Sequence, residues 1–329
     1  MKKILIIGGG GYVGTRLVEQ LINKNYFIKI YDLFIYGEKI FDQYKNVNNF
    51  EKIKGDIRNI NLLSKSLKDI YAVIHLACIS NDPSFDLDPN LGKSINFSCF
   101  EPLIEACKNN KIKRFIYASS SSVYGSKKED RVTEDLTPEP QTDYAKFKLK
   151  CEKILLKDKS EMIKTIVRPS TICGYSDRQR FDLTVNIFTN QGMNNNKIIV
   201  HGGNQMRPAL HILDMCRFYE FLIEADSTKI NNKVYNISKE NFTVLNIANR
   251  IKKILKKNNL PIEISNTLDN RSYKVCADKV SEELKFKPIY EIEHAVKEII
   301  EAQKNGKYED PINNPIYFNI KRMKEILLK

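Results

Sequence analysis

The feature that most constrains this chain is a run of glycines between a predicted strand and a predicted helix. The apolar, β-branched run Lys3–Ile7 predicts a short buried strand, and the segment Gly8–Gly14 follows it directly. Small residues let a backbone approach a pyrophosphate, and a helix N-terminus offers free N–H groups. The pattern therefore predicts a dinucleotide-binding strand–turn–helix unit. The apolar face of its helix contains Val13, Leu17, Val18, Leu21 and Ile22.

The acid at the end of the next predicted strand indicates which dinucleotide binds. That strand runs from Tyr26 to Tyr31 and closes on Asp32. A carboxylate at this place accepts hydrogen bonds from both ribose hydroxyls of an adenosine, and it repels a 2′-phosphate. No arginine follows Asp32 directly, so the sequence favours NAD over NADP as the cofactor. The residues predicted to contact NAD in this unit are Gly8, Gly11, Tyr12, Val13, Gly14 and Asp32.

A second group of residues predicts proton-transfer chemistry. The apolar run Phe115–Ala118 predicts a strand that ends in a run of serines, Ser119–Ser122. Further on, Tyr144 and Lys148 stand four residues apart in a helical pattern, which places them on one helix face. Because an ammonium group stabilises a phenolate, we expect Lys148 to lower the pKa of Tyr144 toward neutrality. The tyrosinate would then take a proton from a substrate hydroxyl, and Lys148 would also reach the nicotinamide ribose.

Several segments resemble one enzyme family. The spacing Gly8-x-x-Gly11-x-x-Gly14 is similar to that of the extended short-chain dehydrogenase/reductase family, whose members mostly act on nucleotide sugars. Gly55–Arg58 resembles the family segment whose aspartate binds the adenine amine, and Ala72–Ala77 resembles the strand that lines the cofactor. The family usually has Thr at the place of Ile7 and Ala at the place of Cys78. The resemblance implies further NAD contacts at Asp56, Ile57, Leu76, Ala77, Tyr144 and Lys148.

The serine run separates two activities found in that family. The family places its catalytic Ser or Thr four residues before the tyrosine of a Val-Tyr-Gly motif, which corresponds to Ser120. Ser119, Ser121 and Ser122 remain alternatives. Nucleotide-sugar 4,6-dehydratases carry Asp-Glu directly after the catalytic residue, and those acids drive the loss of water. Because this chain has Ser121 and Ser122 there, the resemblance implies oxidation at the sugar C4 without dehydration. The implied catalytic residues are Ser120, Tyr144 and Lys148.

The second half of the chain resembles the substrate-binding part of the same family. Four segments preserve the family's order, and they are Arg168–Gly174, Asp177–Asn186, Met206–Asp214 and Asn270–Tyr273. Arginine suits a diphosphate because its planar fork pairs with phosphate oxygens bidentately. Arg178 and Arg180 could alternatively cap a surface loop. The resemblance implies substrate contacts at Ser121, Ser122, Thr171, Arg180, Asn186, Arg207 and Arg271.

The net charge of +13 permits several kinds of anionic partner. Lysine supplies most of the 53 basic residues and is spread along the whole chain, which is typical of a compositional bias. We therefore expect the anions to be NAD and a nucleotide-diphosphate sugar, with no nucleic acid and no membrane as partner. Seven scattered cysteines without a C-x-x-C pair indicate reduced thiols in a cytoplasm. The four histidines show no metal-ligand spacing, so no metal site is predicted.

These observations predict an α/β fold, a Rossmann-type doubly wound parallel sheet with a smaller, interwoven α/β substrate-binding domain. We expect residues 1–170 to form the NAD-binding domain and residues 171–329 to form mainly the substrate-binding domain, with parts that return to the first. The resemblance also implies a homodimer or homotetramer. Locally, Gly192–Asn196 predicts a turn, and Thr243 predicts the N-cap of a helix.

The predicted function is NAD-dependent oxidation at C4 of a nucleotide-diphosphate sugar, by a 4-epimerase or a C4-dehydrogenase of surface polysaccharide biosynthesis. The enzymatic alternative is an NAD(P)H-dependent nucleotide-ketosugar reductase. Such reductases usually prefer NADPH, which Asp32 disfavours. The other alternative is a non-enzymatic NAD-sensing or RNA-binding relative, which the intact pair of Tyr144 and Lys148 disfavours.

Overall fold

A computed structural model describes residues 1–267 and 271–326 of the chain. Within this part, no helix is both long enough and apolar enough to cross a membrane. The strands are β1 (Lys2–Ile7), β2 (Tyr26–Asp32), β3 (Phe50–Lys54), β4 (Ala72–His75), β5 (Arg114–Ala118), β6 (Ile163–Pro169), β7 (Thr171–Cys173), β8 (Ile198–His201), β9 (Met206–His211), β10 (Lys233–Ile237), β11 (Glu240–Thr243) and β12 (Ile262–Ser265). The α-helices are α1 (Tyr12–Ile22), α2 (Ile60–Ser66), α3 (Asp82–Phe85), α4 (Pro89–Lys93), α5 (Phe100–Asn109), α6 (Asp143–Lys157), α7 (Thr184–Asn194), α8 (Ile212–Glu224), α9 (Ser227–Ile230), α10 (Val244–Ile254), α11 (Asp278–Leu284), α12 (Ile292–Lys304) and α13 (Asn319–Ile326).

Seven of these strands form one parallel sheet in the order β10-β6-β5-β4-β1-β2-β3. From β3 across to β6 the order is that of a doubly wound, Rossmann-type sheet. The direction of winding reverses between β1 and β4, and ligands bind at such a switch point, beyond the carboxyl ends of the strands. The predicted fold is therefore confirmed.

Helices cover both faces of this sheet because its central strands are apolar on both sides. On β1, Ile4 and Ile6 pack into a cluster with residues of α1 and α8, whereas Leu5 and Ile7 pack into a second cluster with residues of α2 and α5. All four side chains are fully buried. Burial of each side chain stabilises the folded protein by about 1.5–3 kcal/mol relative to an exposed position. Strand β1 therefore anchors the glycine segment that follows it.

A smaller part of the fold combines two short sheets, β11-β9-β7 and β12-β8, with helices α7, α10 and α12. These helices share an apolar cluster that includes Val185, Ile247, Ile251 and Val296. Strand β10 pairs with β6 and so belongs to the large sheet, although its residues come late in the chain. The division of the chain at residue 170 stays a proposal, in which β10 is assigned to the NAD-binding part.

Two local predictions have different outcomes. The turn predicted at Gly192–Asn196 is confirmed only for Asn195 and Asn196, because α7 continues to Asn194. Gly192 is instead a packing position: a Cβ there would lie 2.5 Å from Cδ1 of Leu255. The predicted N-cap is confirmed, since the Thr243 side chain accepts a hydrogen bond from the Asn246 N–H at 3.1 Å.

A buried ion pair joins the sheet to helix α6. Arg168 on β6 donates from Nε to one carboxylate oxygen of Glu152 at 3.0 Å and from Nη2 to the other at 2.6 Å. The two side chains are only 6% and 1% exposed. Ser119 also donates to Glu152, and the Tyr124 hydroxyl accepts from Nη1 of Arg168 at 2.8 Å. The pair therefore fixes the position of α6 relative to the ends of β5 and β6.

We expect Glu152→Ala to destabilise the protein by about 3–5 kcal/mol, because Arg168 would stay buried without its counter-charge. Urea unfolding followed by circular dichroism measures this. The matched control is Glu105→Ala, which removes an exposed partner of Lys108 and should leave the midpoint unchanged. Equal stability of the two variants would contradict the role given to the buried pair.

Candidate active site

A large cavity lies at the carboxyl edge of the parallel sheet. Its wall contains the residues that directly follow β1, β2, β4, β5 and β6. Parallel strands end at the same edge, so the fold brings together segments that are far apart in the sequence. Later parts of the chain complete the wall, among them Arg178, Arg180, Arg207, Arg271 and Asn319.

The glycine segment forms a cradle of bare backbone in this cavity. Gly8 has φ +86°, which glycine adopts without strain. A Cβ on Gly14 would lie 2.6 Å from the main-chain oxygens of Gly8 and Gly9. Gly11 is the N-cap of α1 and offers no side-chain acceptor to the first N–H groups of the helix. These N–H groups fit the pyrophosphate of NAD.

Asp32 closes one end of the cavity. Its Oδ2 accepts from the Gly10 N–H at 3.0 Å, and its Oδ1 accepts from the Phe34 N–H at 2.6 Å. Burial raises the pKa of Asp32 above its ordinary value, and the two N–H groups oppose this shift. The carboxylate thus holds the glycine turn in place and also fits the ribose hydroxyls of an adenosine.

Most of the other residues predicted to contact NAD also line the cavity, whereas Asp56 does not. The lining residues among them are Tyr12, Val13, Ile57, Leu76 and Ala77. The Asp56 carboxylate accepts from Nη2 of Arg58 at 2.6 Å, and this hydrogen bond lowers the pKa of Asp56. The adenine contact stays a prediction, which requires Asp56 to share its oxygens between Arg58 and the adenine amine.

Helix α6 carries the predicted tyrosine and lysine into the same cavity. Its N-cap is Thr142, whose side chain accepts from the Ala145 N–H at 3.3 Å. Lys148 is only 4% exposed, and its Nζ donates to the main-chain oxygen of Ala118 at 2.6 Å. The same Nζ lies 5.8 Å from the centre of the Tyr144 ring. Both residues line the cavity, as does the serine run.

The hydrogen bonds of the serine run favour Ser120 among the alternatives. The Ser119 hydroxyl is committed to the buried Glu152. The Ser120 hydroxyl accepts from the Ser122 N–H at 3.1 Å, and its interaction with Tyr144 lowers the pKa of that tyrosine. Ser120 is thus the serine whose hydroxyl lies beside the predicted base.

The pKa of Tyr144 differs from the expectation. Burial raises it well above its ordinary value, and Cys78 and Asp82 raise it further, whereas Arg180 and the hydrogen bond with Ser120 lower it. The predicted lowering toward neutrality is therefore wrong for the chain by itself, because loss of hydration outweighs the nearby cations. A positively charged ligand beside the ring would shift the pKa in the opposite direction.

The predicted substrate residues fall into two groups. Six of them line the cavity, namely Ser121, Ser122, Thr171, Arg180, Arg207 and Arg271. Arg207 donates to the main-chain oxygen of Arg271, and Arg271 donates from Nη1 to Asp82 at 2.6 Å. These two arginines are therefore neighbours. Asn270, which belongs to the same family-like segment as Arg271, lies outside the described residues.

Asn186 is the exception among the predicted substrate contacts. It is fully buried and is not part of the described cavity wall. Its Oδ1 accepts from the Gly174 N–H at 3.1 Å, and its Nδ2 donates to the Tyr12 hydroxyl at 3.1 Å and to the Arg180 main-chain oxygen at 2.9 Å. The predicted substrate contact is thus corrected: Asn186 supports the wall from behind.

The cavity residues that the sequence analysis missed include Tyr36, Asp82 and Asn319. Asp82 follows β4 closely, and its position beyond a parallel strand could have marked it. Tyr36 and Asn319 carry no such signal. They come from an irregular loop and from the C-terminal helix α13, and only packing places them at the cavity.

The fold also brings two histidines and a glutamate together. The donor atoms of His211, His294 and Glu298 lie within 4.8 Å of one another. However, Nδ1 of His211 accepts from the Leu213 N–H at 3.1 Å, so a neutral ring carries its proton on Nε2, which lies 3.2 Å from Glu298. A protonated Nε2 offers no lone pair to a metal, and we assign no metal to this group.

Comparison with known proteins identifies the family. The sequence model of the NAD-dependent epimerase/dehydratase family matches residues 4–238. The chain belongs to this family. The resemblance found in the sequence and the prediction of NAD as cofactor are thereby confirmed.

Relatives and solved structures agree with this membership. A UDP-glucose 4-epimerase of Lactobacillus helveticus is 32% identical over 179 residues, which cover 53% of this chain and 53% of that protein. A dTDP-D-glucose 4,6-dehydratase of Dictyostelium discoideum is 30% identical over 282 residues, covering 76% of this chain and 62% of that protein. The structure of a UDP-glucuronic acid 4-epimerase from Bacillus cereus, in complex with UDP-glucuronic acid and NAD, superposes with a TM-score of 0.83 at 27% identity, covering 92% of this chain and 99% of that one.

We expect Asp32→Ala to weaken NAD binding at least about 10-fold, because the ribose hydroxyls lose a charged acceptor. NADP binding should weaken less, since the variant also removes repulsion of a 2′-phosphate. Calorimetric titration of both dinucleotides measures the difference, with the exposed Asp42→Ala as the control. An equal loss for NAD and NADP would remove the argument for selectivity.

Proposed function

We propose that the protein oxidises C4 of a nucleotide-diphosphate sugar with NAD, as a 4-epimerase or a C4-dehydrogenase. The observation that carries this proposal is the convergence of Ser120, Tyr144 and Lys148 on the cavity that also holds the glycine cradle and Asp32. A proton acceptor and a dinucleotide site in one cavity suit the removal of a proton and a hydride from the same carbon.

Each of the three residues has a separate task in this proposal. Tyr144 takes the proton of the C4 hydroxyl, and Ser120 orients that hydroxyl through a hydrogen bond. The ammonium group of Lys148 stabilises the phenolate of Tyr144. The glycine cradle and Asp32 would hold NAD, which would supply the acceptor for the C4 hydride. The raised pKa of Tyr144 in the chain by itself means that its ionisation depends on the surrounding positive charge.

The diphosphate of the substrate is assigned to Arg207 and Arg271. Both line the cavity, and the hydrogen bond from the Arg207 guanidinium to the main-chain oxygen of Arg271 keeps the two residues close. Arginine forks suit two adjacent phosphate groups. Thr171, Ser121 and Ser122 line the same cavity and are assigned to the sugar.

The residues after Ser120 argue against dehydration. A 4,6-dehydration needs an acid and a base at C5 and C6, whereas Ser121 and Ser122 carry hydroxyl groups. The family contains both epimerases and dehydratases, so membership alone does not decide between them. The hydroxyl pair favours the two activities that end with an epimerised sugar or a released ketosugar.

We further assign the protein to the cytoplasm, to surface polysaccharide biosynthesis and to a homodimeric or homotetrameric state. Its seven cysteines are unpaired, which suits a reducing compartment. Nucleotide sugars are the activated donors of polysaccharide synthesis, which supports the pathway. Equilibrium sedimentation of the full chain tests the oligomeric state.

Incubation of the purified protein with UDP-, GDP- and dTDP-sugars tests the proposed reaction. NADH absorbance and product stereochemistry are followed together. A C4-epimer without net NADH indicates an epimerase, and a ketosugar with stoichiometric NADH indicates a dehydrogenase. No change of any sugar in the panel, or a 4-keto-6-deoxy product, contradicts the proposal.

Tyr144→Phe should lower turnover at least about 100-fold, because it removes the positioned proton acceptor. NAD binding should persist, since the phenyl ring and the glycine cradle stay in place. Initial rates and calorimetric titration of NAD measure the two effects. Near-normal turnover would show that another group acts as the base.

Lys148→Met should move the rising limb of kcat/KM to higher pH. The base acts in its ionised form, and removal of the ammonium group raises the pKa that ionisation requires. The pH profile between pH 6 and 10 measures the shift. The control is Lys146→Met on the same helix, where the lysine is exposed and paired with Asp143. An unshifted profile in the Lys148 variant would contradict the assigned role.

A further inference from the structure

An arginine outside the predicted contacts is buried in the cavity wall with unused donors. Arg178 is only 4% exposed and lines the cavity. The ring of Tyr36 stacks on its guanidinium group, with 3.4 Å between the central carbon and the ring centre. Nη2 donates to Oδ1 of Asn319 at 2.6 Å. Its Nε and Nη1 are buried and have no hydrogen-bond partner among the residues the structure describes.

This arrangement is costly unless an anion completes it. A buried charge without a hydrogen-bonded partner loses its hydration and gains little in return. Burial lowers the pKa of Arg178 to about 10, and the attraction of Asp182 and Asp32 opposes that change. Unsatisfied donors of a charged group are rare in proteins and mark strain or a ligand. Arg178 therefore points to an anionic ligand in the cavity.

The surroundings of Arg178 indicate which anion. The Arg178 charge interacts with Asp32, the residue at the ribose end of the dinucleotide site. Arg180 is held by Asp182 and donates to Ser80, which follows β4, and its charge also interacts with Tyr12 at the start of α1. The loop that carries Arg178 and Arg180 thus reaches the end of β2 and the segment after β4, which lie on either side of the glycine cradle.

The glycine cradle contains no cation of its own. Residues 8–14 include no lysine and no arginine, so they offer a pyrophosphate only main-chain N–H groups and the helix dipole. Arg207 and Arg271, by contrast, lie beside Asp82 and belong to the proposed sugar-nucleotide end. Arg178 shares the cavity wall with Gly8, Gly11 and Gly14, and its unpaired donors would be offered to phosphate groups bound there.

We propose that Arg178 is a ligand of the pyrophosphate of the bound dinucleotide, with Arg180 as the second arm of the same clamp. Nε and Nη1 of Arg178 lie on different sides of the guanidinium group, so they would donate to two separate phosphate oxygens. Since both atoms are covered in the structure, binding includes a small displacement of the Tyr36 ring. Arg180 then serves the cofactor, and the substrate diphosphate is left to Arg207 and Arg271.

The experiment compares ligands that differ only in the proposed contact. NAD, ADP, adenosine and UDP are titrated calorimetrically into the full chain, freed of copurified nucleotide, as wild type, Arg178→Met and Arg178→Lys. Arg131→Met is the matched control, because it removes one arginine from an exposed surface pair with Asp278. Thermal unfolding shows that each variant is folded.

We expect Arg178→Met to weaken NAD and ADP about 10- to 100-fold, since hydrogen bonds to charged groups are lost. Adenosine and UDP should bind as in wild type, and Arg131→Met should change none of the four. Arg178→Lys keeps the charge but loses the separate, fixed directions of the two donors, so we expect an intermediate loss of affinity. This variant serves if the Met variant does not fold. An equal loss of affinity for adenosine would show that Arg178 has a structural role. A loss of affinity confined to UDP would place Arg178 at the substrate. Unchanged NAD binding would also overturn the proposal.

Discussion

The buried pair of Arg168 and Glu152 is the interaction on which the catalytic side of the cavity depends. Glu152 lies one turn after Lys148 on α6, and Arg168 lies on β6, so the pair fixes the helix against the sheet. Tyr124 extends the network to Asn236 on β10 through a hydrogen bond of 2.8 Å. Because uncompensated charges are very unfavourable in a protein interior, such a network tolerates few alternative arrangements. The geometry of the tyrosine and lysine is therefore set by groups that do not touch the substrate.

Only a few of the many positive charges of the chain lie in the cavity wall. The large net charge therefore says little about which ligand binds there. The lysines are spread over helices, strands and loops, whereas the positive charges available to a ligand in the cavity wall are a few arginines and Lys148. These arginines come from segments that are distant in the chain. In the proposed division, one pair serves the dinucleotide and the other serves the sugar nucleotide, so each diphosphate has its own cationic partners.

Much of the fold and part of the site could be predicted because their signals are local. The apolar run of β1, the glycines and Asp32 lie within about thirty residues, and the fold requires them to form one unit. Tyr144 and Lys148 share a helix face because of their spacing alone. Asn186 shows the limit of this reasoning. Its segment resembles a substrate-binding one, yet packing turns its amide to Tyr12 and Gly174 behind the wall.

The sequence by itself determined the Rossmann-type fold, the NAD cofactor and the family, since strand and helix periodicity and motif order are properties of neighbouring residues. The tertiary structure alone decided which donors are satisfied and which groups are desolvated. It raised the pKa of Tyr144 by burial, committed Ser119 to Glu152 and left Arg178 with unpaired donors. These outcomes depend on contacts between distant segments, which no local pattern specifies.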